Sequence, residues 1–185
     1  MRTDAPSSET MRLSIISPDD MRRAAGAWAG VIALVLTPCV AHASRFTGIV
    51  SHVTDGDTVW VRRDDGKPPL RVRLQGIDAP EICQPFGLKS RQALASIVAH
   101  RRVTVTTHGT DNYDRTLGVI ERAHEDVGAW MVRRGYAWSY HFKGNAGPYA
   151  RQEAQARRTR AGLWQQNRPV APHEFRVKHG HCERG

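Results

Sequence analysis

From Arg45 onward the chain runs in short apolar–polar alternations broken by turn residues, the period of half-buried strands. Phe46 to Val53 predicts a first strand and Thr58 to Arg62 a second, entered through Asp55-Gly56. Asp64-Asp-Gly66 and Pro68-Pro69 make the next reversal. Leu70 to Leu74 then reads Leu, Arg, Val, Arg, Leu, a strand with one apolar face. Arg71 and Arg73 share its other face, and Arg71 is read as a plain solvent-facing charge. After Pro85-Phe86-Gly87 the period changes: Leu88, Leu94, Ile97 and Val98 fall near one stripe, predicting a helix through His100, closed by Arg101-Arg102. Val103 to Val105 and Thr116 to Ile120 predict the fourth and fifth strands, with the loop Asp111 to Asp114 between them. A short helix beginning at Ala129 ends at Gly135. A longer one, Tyr149 to Ala161, is opened by Pro148 and closed by Gly162. Trp164 is expected to dock beneath it. Two prolines and no clear period after Gln165 read as an extended tail.

Five strands and three helices describe an α+β chain built mainly on a small barrel, and strand count alone does not separate one such barrel from another. The N-terminal stretch differs in kind. Arg22-Arg23 precede an apolar run from Ala24 to Val40, and Ala41-His-Ala43 offers small residues where a signal peptidase reads them. Cleavage is expected after Ala43, with an uncleaved anchor as the alternative; Pro38 before Cys39 argues against a lipoprotein box. Residues 1 to 20 are polar and foreign to such a signal, so Met21, or else Met11, is read as the start of translation. The division is therefore 1–43 as extension and signal peptide, 44–166 as the folded domain and 167–185 as tail.

Charge sharpens this picture. The 185 residues carry a formal net charge of +9, and the first 43 hold four basic and four acidic residues, so the whole excess lies in the folded part. A basic surface of that kind attracts polyanions and loses the attraction as salt rises. Export would also leave Cys83 and Cys182 as an even pair in an oxidising compartment, and a disulfide tying the tail beside residue 81 is expected. Two free thiols, or a zinc site with His179 and His181, are the alternatives, the latter short of a fourth ligand.

The candidate chemistry sits in Asp55-Gly-Asp57-Thr58 and Arg73-Leu-Gln-Gly-Ile-Asp78-Ala79-Pro-Glu81. Strand pairing would bring Asp57 and Asp78 together as hard oxygen ligands for a divalent cation such as Ca²⁺. Glu81 could then orient or deprotonate a water, and Arg73 offers a planar fork of donors to phosphate. Taken singly, either segment is an ordinary hairpin end. Together with Asp111-Asn-Tyr-Asp114-Arg115-Thr-Leu-Gly118 they resemble the staphylococcal nuclease family, in the family's order and spacing, over roughly Arg45 to Trp164.

That resemblance implies a five-stranded oligonucleotide-binding (OB-fold) barrel with three helices. It implies Asp57 and Asp78 as Ca²⁺-binding carboxylates, the main-chain carbonyl of Ala79 as a further ligand, and Asp55 as an outer-shell acid. Glu81 matches the residue that activates or orients the attacking water, and Arg73 and Arg115 match the two phosphate-binding arginines. Asp114 stands where glycine is common, a position an aspartate tolerates. The implied activity is Ca²⁺-dependent phosphodiester hydrolysis of DNA and RNA, favouring unpaired regions, by a protein that is secreted or periplasmic, monomeric and without lasting membrane association. Tyr113, Tyr140 and Phe142 are candidate stacking platforms for bases, with packing as the equal alternative. His141 is given no role. The competing reading is a noncatalytic OB-fold module that binds nucleic acid.

Overall fold

The computed structural model describes residues 43–140, 144–180 and 182, all within one compact unit spanning 40–185. The expected signal segment, the question of the start codon, His141, Phe142 and His181 lie outside the described residues. Alternation carries the sheet. Along β1 (Arg45–Val53) Phe46, Gly48, Val50 and Val53 point inward, along β2 (Thr58–Arg63) Val59 and Val61, and along β3 (Leu70–Leu74) Val72 and Leu74. Burying each of these valines and leucines contributes about 1.5–3 kcal/mol.

β1 pairs antiparallel with β2 on one side and with β5 (Arg102–Thr110) on the other; β2 continues to β3 and β5 to β6 (Thr116–Arg122). A parallel pairing of β3 with β6, Arg73 opposite Leu117, closes the five strands into a barrel. Closure is tight at Gly118, where a Cβ would stand 3.0 Å from the Thr106 carbonyl oxygen. Two further pairings escape sequence period because each strand is only two residues long. β4 (Ile77–Asp78) pairs with β8 (Trp138–Ser139), and β7 (Glu125–Asp126) extends the sheet beyond β6.

Helix α1 (Gly87–Val98) lays Leu94 and Val98 on the barrel, and α2 (Val127–Arg133) adds Met131 and Val132 to the same core. Asp126 caps α2 by accepting from the Ala129 N–H at 3.0 Å, and its other oxygen accepts from the Tyr149 hydroxyl at 2.9 Å. α3 (Ala150–Arg158) ends earlier than the expected Ala161, and a 3-10 turn over Gly162–Gln165 carries Trp164 edge-on to Trp138 at 5.4 Å.

The tail is not extended. Pro172 to His179 form α4, making four α-helices among the described residues where three helices are expected. Its prolines mislead as helix breakers, whereas Pro172 occupies the first helical turn, where its missing N–H costs nothing, and Gly180 follows the last turn. A disulfide between Cys83 and Cys182 and a 2.7 Å bond from the Gln84 amide to the Val170 carbonyl fasten this segment to the loop after Glu81. Cys182 is thereby taken from any zinc site.

Candidate active site

Register decides which arginine reaches the site. β2–β3 pairing puts Arg73 opposite Thr58 and therefore beside Asp57, while Arg71 lies opposite Trp60, farther along the barrel. Asp57 is fixed from several sides: the Thr58 hydroxyl donates to it at 2.9 Å, the Ala79 N–H at 3.2 Å, and its own N–H donates to Asp55 at 3.0 Å. The loop is pressed on α1 so closely that a methyl at Gly56 would collide with the Ser90 hydroxyl. β4 delivers Asp78, and Arg73 Nη2 lies 3.2 Å from both Asp57 Oδ2 and Asp78 Oδ1, while Nη1 donates to the Ile77 carbonyl. Two buried carboxylates, Asp57 from the bend before β2 and Asp78 from β4, thus converge on one guanidinium nitrogen. Such all-oxygen donors suit a hard cation such as Ca²⁺.

The acids differ in their ionisation. Burial would raise the Asp57 carboxyl, but Arg73, the Ala79 N–H, the Thr58 hydroxyl and the Arg115 charge together hold it below the ordinary carboxylate range. Burial pushes Asp55 up to about 7, with the neighbouring Asp57 charge adding to the effect. Asp78 is raised for the same two reasons, against the pull of Arg176 and Arg73. Three carboxylates so close cannot all be charged at low cost without added positive charge.

Glu81 follows β4 in a loop held by its own N–H to Gln84 Oε1 at 3.1 Å. Arg115 stands at the start of β6, where the turn from Asp111 closes on itself. Asp111 accepts from the Arg115 N–H at 3.0 Å and from its Nε at 2.8 Å, and Asp114 takes the left-handed backbone its position requires (φ 55°). The guanidinium lies 5.3 Å from the Tyr113 ring centre. Asp55, Asp57, Arg73, Ala79, Glu81, Tyr113, Arg115 and Tyr140 all border one cavity of about 610 Å³. Tyr113 and Tyr140 are 57% and 41% exposed, so both rings face solvent at its rim. Asp78 opens instead onto a neighbouring cavity of about 820 Å³.

One residue of this cluster escapes sequence reading altogether. Arg176, from α4, donates through Nη1 to Glu81 Oε1 at 2.8 Å and to Asp78 Oδ1 at 3.3 Å, and through Nη2 to Asp78 Oδ2 at 3.2 Å. The signal for α4 was present in Pro172, Glu174 in the first turn and Gly180 at the end, but nothing local says which way its arginine faces. Among the described residues, no group of three or more His, Cys, Asp and Glu forms a ready cation cage.

Residues 71–166 match the family model described as staphylococcal nuclease homologue. The chain is 42% identical over 167 residues to Protein ParB of Escherichia coli, spanning 84% of this chain and 90% of that one. It is 37% identical over 160 residues to a micrococcal nuclease of Shigella flexneri, covering 80% and 88%, and 34% identical over 146 residues to an uncharacterized endonuclease of Haemophilus influenzae, covering 79% and 80%.

Proposed function

Since the chain belongs to the staphylococcal nuclease family, we propose that it is an exported, Ca²⁺-dependent nuclease that hydrolyses phosphodiester bonds of DNA and RNA and favours unpaired strands. The observation that carries this reading is the gathering of Asp57, Arg73, Glu81 and Arg115 around one cavity, with Asp78 joined to Asp57 through Arg73.

Asp57 and Asp78, with the Ala79 carbonyl, are the residues that would hold the cation, and Asp55 supports them from behind through the Asp57 N–H. Bound there, Ca²⁺ supplies charge neutralisation and Lewis acidity at the phosphate. The Glu81 carboxylate accepts the proton of the attacking water, or holds that water in line with the leaving oxygen. Arg73 and Arg115 donate N–H bonds to the non-bridging phosphate oxygens, where negative charge grows in the transition state. Arg115 is held in position by Asp111, and Arg73 by the Ile77 carbonyl, so neither must be ordered at the moment of reaction. Tyr113 and Tyr140, exposed at the cavity rim, offer faces on which unpaired bases stack, which supports the single-strand preference. A net charge of +9 supports attraction to the polyanion. The Cys83–Cys182 disulfide, together with the apolar run before Ala43, supports export to an oxidising compartment and a mature chain without a membrane anchor. The mature protein is taken to act as a monomer, its nuclease domain spanning 44–166.

The deciding experiment is degradation of single-stranded DNA with Ca²⁺ and with excess chelator, beside a Glu81→Gln variant. Cleavage that requires Ca²⁺ and falls by about 10²–10⁴-fold in the variant meets the proposal. Salt-sensitive binding without cleavage would instead make the chain a binding module.

A further inference from the structure

Arg176 lies outside the segment that matches the family model, yet it makes three hydrogen bonds to two of the site's carboxylates. Its two terminal nitrogens clasp both oxygens of Asp78 and one of Glu81, with the side chain only 24% exposed. A guanidinium placed so does what a bound cation does: it lowers the cost of holding carboxylates together out of water. It also engages the acid proposed to handle the attacking water. The same electrons of Asp78 cannot serve Arg176 and a divalent cation fully at once.

The arginine is also held in place. α4 is fastened at its far end by the Cys83–Cys182 disulfide, at its near end by Gln84 to the Val170 carbonyl, and by Ala171 against the Trp138–Trp164 cluster. Cys83 and Gln84 belong to the loop that carries Glu81, so the clamp and its target share one segment. Tethering raises the effective concentration of the guanidinium at the carboxylates far above that of a free counter-ion. There is room for it to leave: Arg176 borders both the site cavity and the neighbouring one of about 820 Å³, onto which Asp78 opens.

Resting on the cation reading given above, we propose that Arg176 is a built-in counter-ion that occupies Asp78 and Glu81 in the cation-free protein and must be displaced for the divalent cation to bind. Arg176 therefore sets the cation affinity of this site, and the disulfide-clamped α4 is the part of the chain that holds it there.

The test is calorimetric titration of Ca²⁺ into the purified, disulfide-intact protein and three variants: Arg176→Gln, Arg176→Lys and Lys178→Gln. Losing three competing charged hydrogen bonds is expected to tighten Ca²⁺ binding by about tenfold or more in Arg176→Gln. Arg176→Lys, whose single ammonium cannot span both carboxylates, is expected to tighten it by a smaller factor. Lys178→Gln removes the same charge from the same helix without touching a site carboxylate, and its affinity is expected to stay within about twofold of the parent. Tightening of equal size in Lys178→Gln overturns the proposal, because overall charge then explains it. Equal affinity in the parent and both Arg176 variants overturns it while leaving the cation site standing. Absence of Ca²⁺ binding in every protein overturns the cation reading and this inference together.

Discussion

Replacing Arg73 by methionine isolates what its charge does for the fold. Its side chain is 14% exposed, and the two carboxylates it joins are 9% and 5% exposed. Breaking a buried ion pair from one side costs about 3–5 kcal/mol, because the abandoned charge stays out of water. Asp78 keeps Arg176, so the deficit falls mainly on Asp57, and about 3 kcal/mol is expected at pH 8 without divalent cation. Its pH dependence follows from the acids. In the parent, Asp57 lies below its unfolded value of 3.8, so its stabilisation is present above that value and lost as pH falls through the native pKa. Asp55 and Asp78 are raised, so each costs stability as pH climbs above the unfolded value, Asp55 through about 7. Without Arg73, burial dominates Asp57 too, and its native pKa joins the raised group. The deficit is therefore full at pH 8, shrinks as the variant's raised acids take up protons on the way down to pH 4.5, and vanishes only below 3.8, where the parent's Asp57 is protonated too. Urea unfolding of parent and Arg73→Met at pH 8 and at pH 4.5, each with chelator, measures it. A loss below about 1 kcal/mol at pH 8, or the same loss at both pH values, would refute the view of Arg73 as the counter-charge of a buried acid cluster.

Arg115 is ion-paired with Asp111 and acts on the acid cluster only through its charge near Asp57, so Arg115→Ala is expected to cost about 1–3 kcal/mol of stability while lowering turnover by about 10²–10³-fold, measured on single-stranded DNA. The disulfide closes a separation of 99 residues, and its removal in Cys83→Ser/Cys182→Ser is expected to cost about 2–5 kcal/mol by denaturant unfolding, with an unchanged midpoint counting against it. Asp126→Ala removes both the α2 cap and the acceptor of the Tyr149 hydroxyl, for an expected loss of about 2–4 kcal/mol. The Tyr149 hydroxyl, raised by burial first and by Asp126 second, should then ionise at lower pH in an ultraviolet titration.

How far such a site can be read from sequence depends on the range over which each residue is positioned. Strands β1, β2, β3 and β6 were legible because alternation is local, and so was the reversal from β2 to β3; the expectation that strand pairing joins Asp57 to Asp78 is corrected by the register, which sets Arg73 opposite Thr58 while the strand of Asp78 pairs with β8. β5 was legible only in its Val103–Val105 core; the polar run Thr106 to Thr110 stays in the sheet because its neighbours β1 and β6 supply the ladder, which no local pattern reports. The two-residue strands β4 and β8 fall below any period, yet their pairing seats Asp78 and brings Tyr140 to the rim, with the Tyr140 N–H bonded to the Gly76 carbonyl at 2.8 Å. Arg176 is the extreme case. It meets Glu81 across 95 residues of sequence, through a helix whose opening proline reads equally well as the end of structure. Its direction is set by a disulfide, a glutamine bond and a tryptophan cluster that belong to other elements. The chemistry-bearing residues on strand ends can be found by pattern because the barrel must place them. A residue that acts on those same acids from outside the barrel is placed only by tertiary contacts, and it is found only once the chain is seen folded.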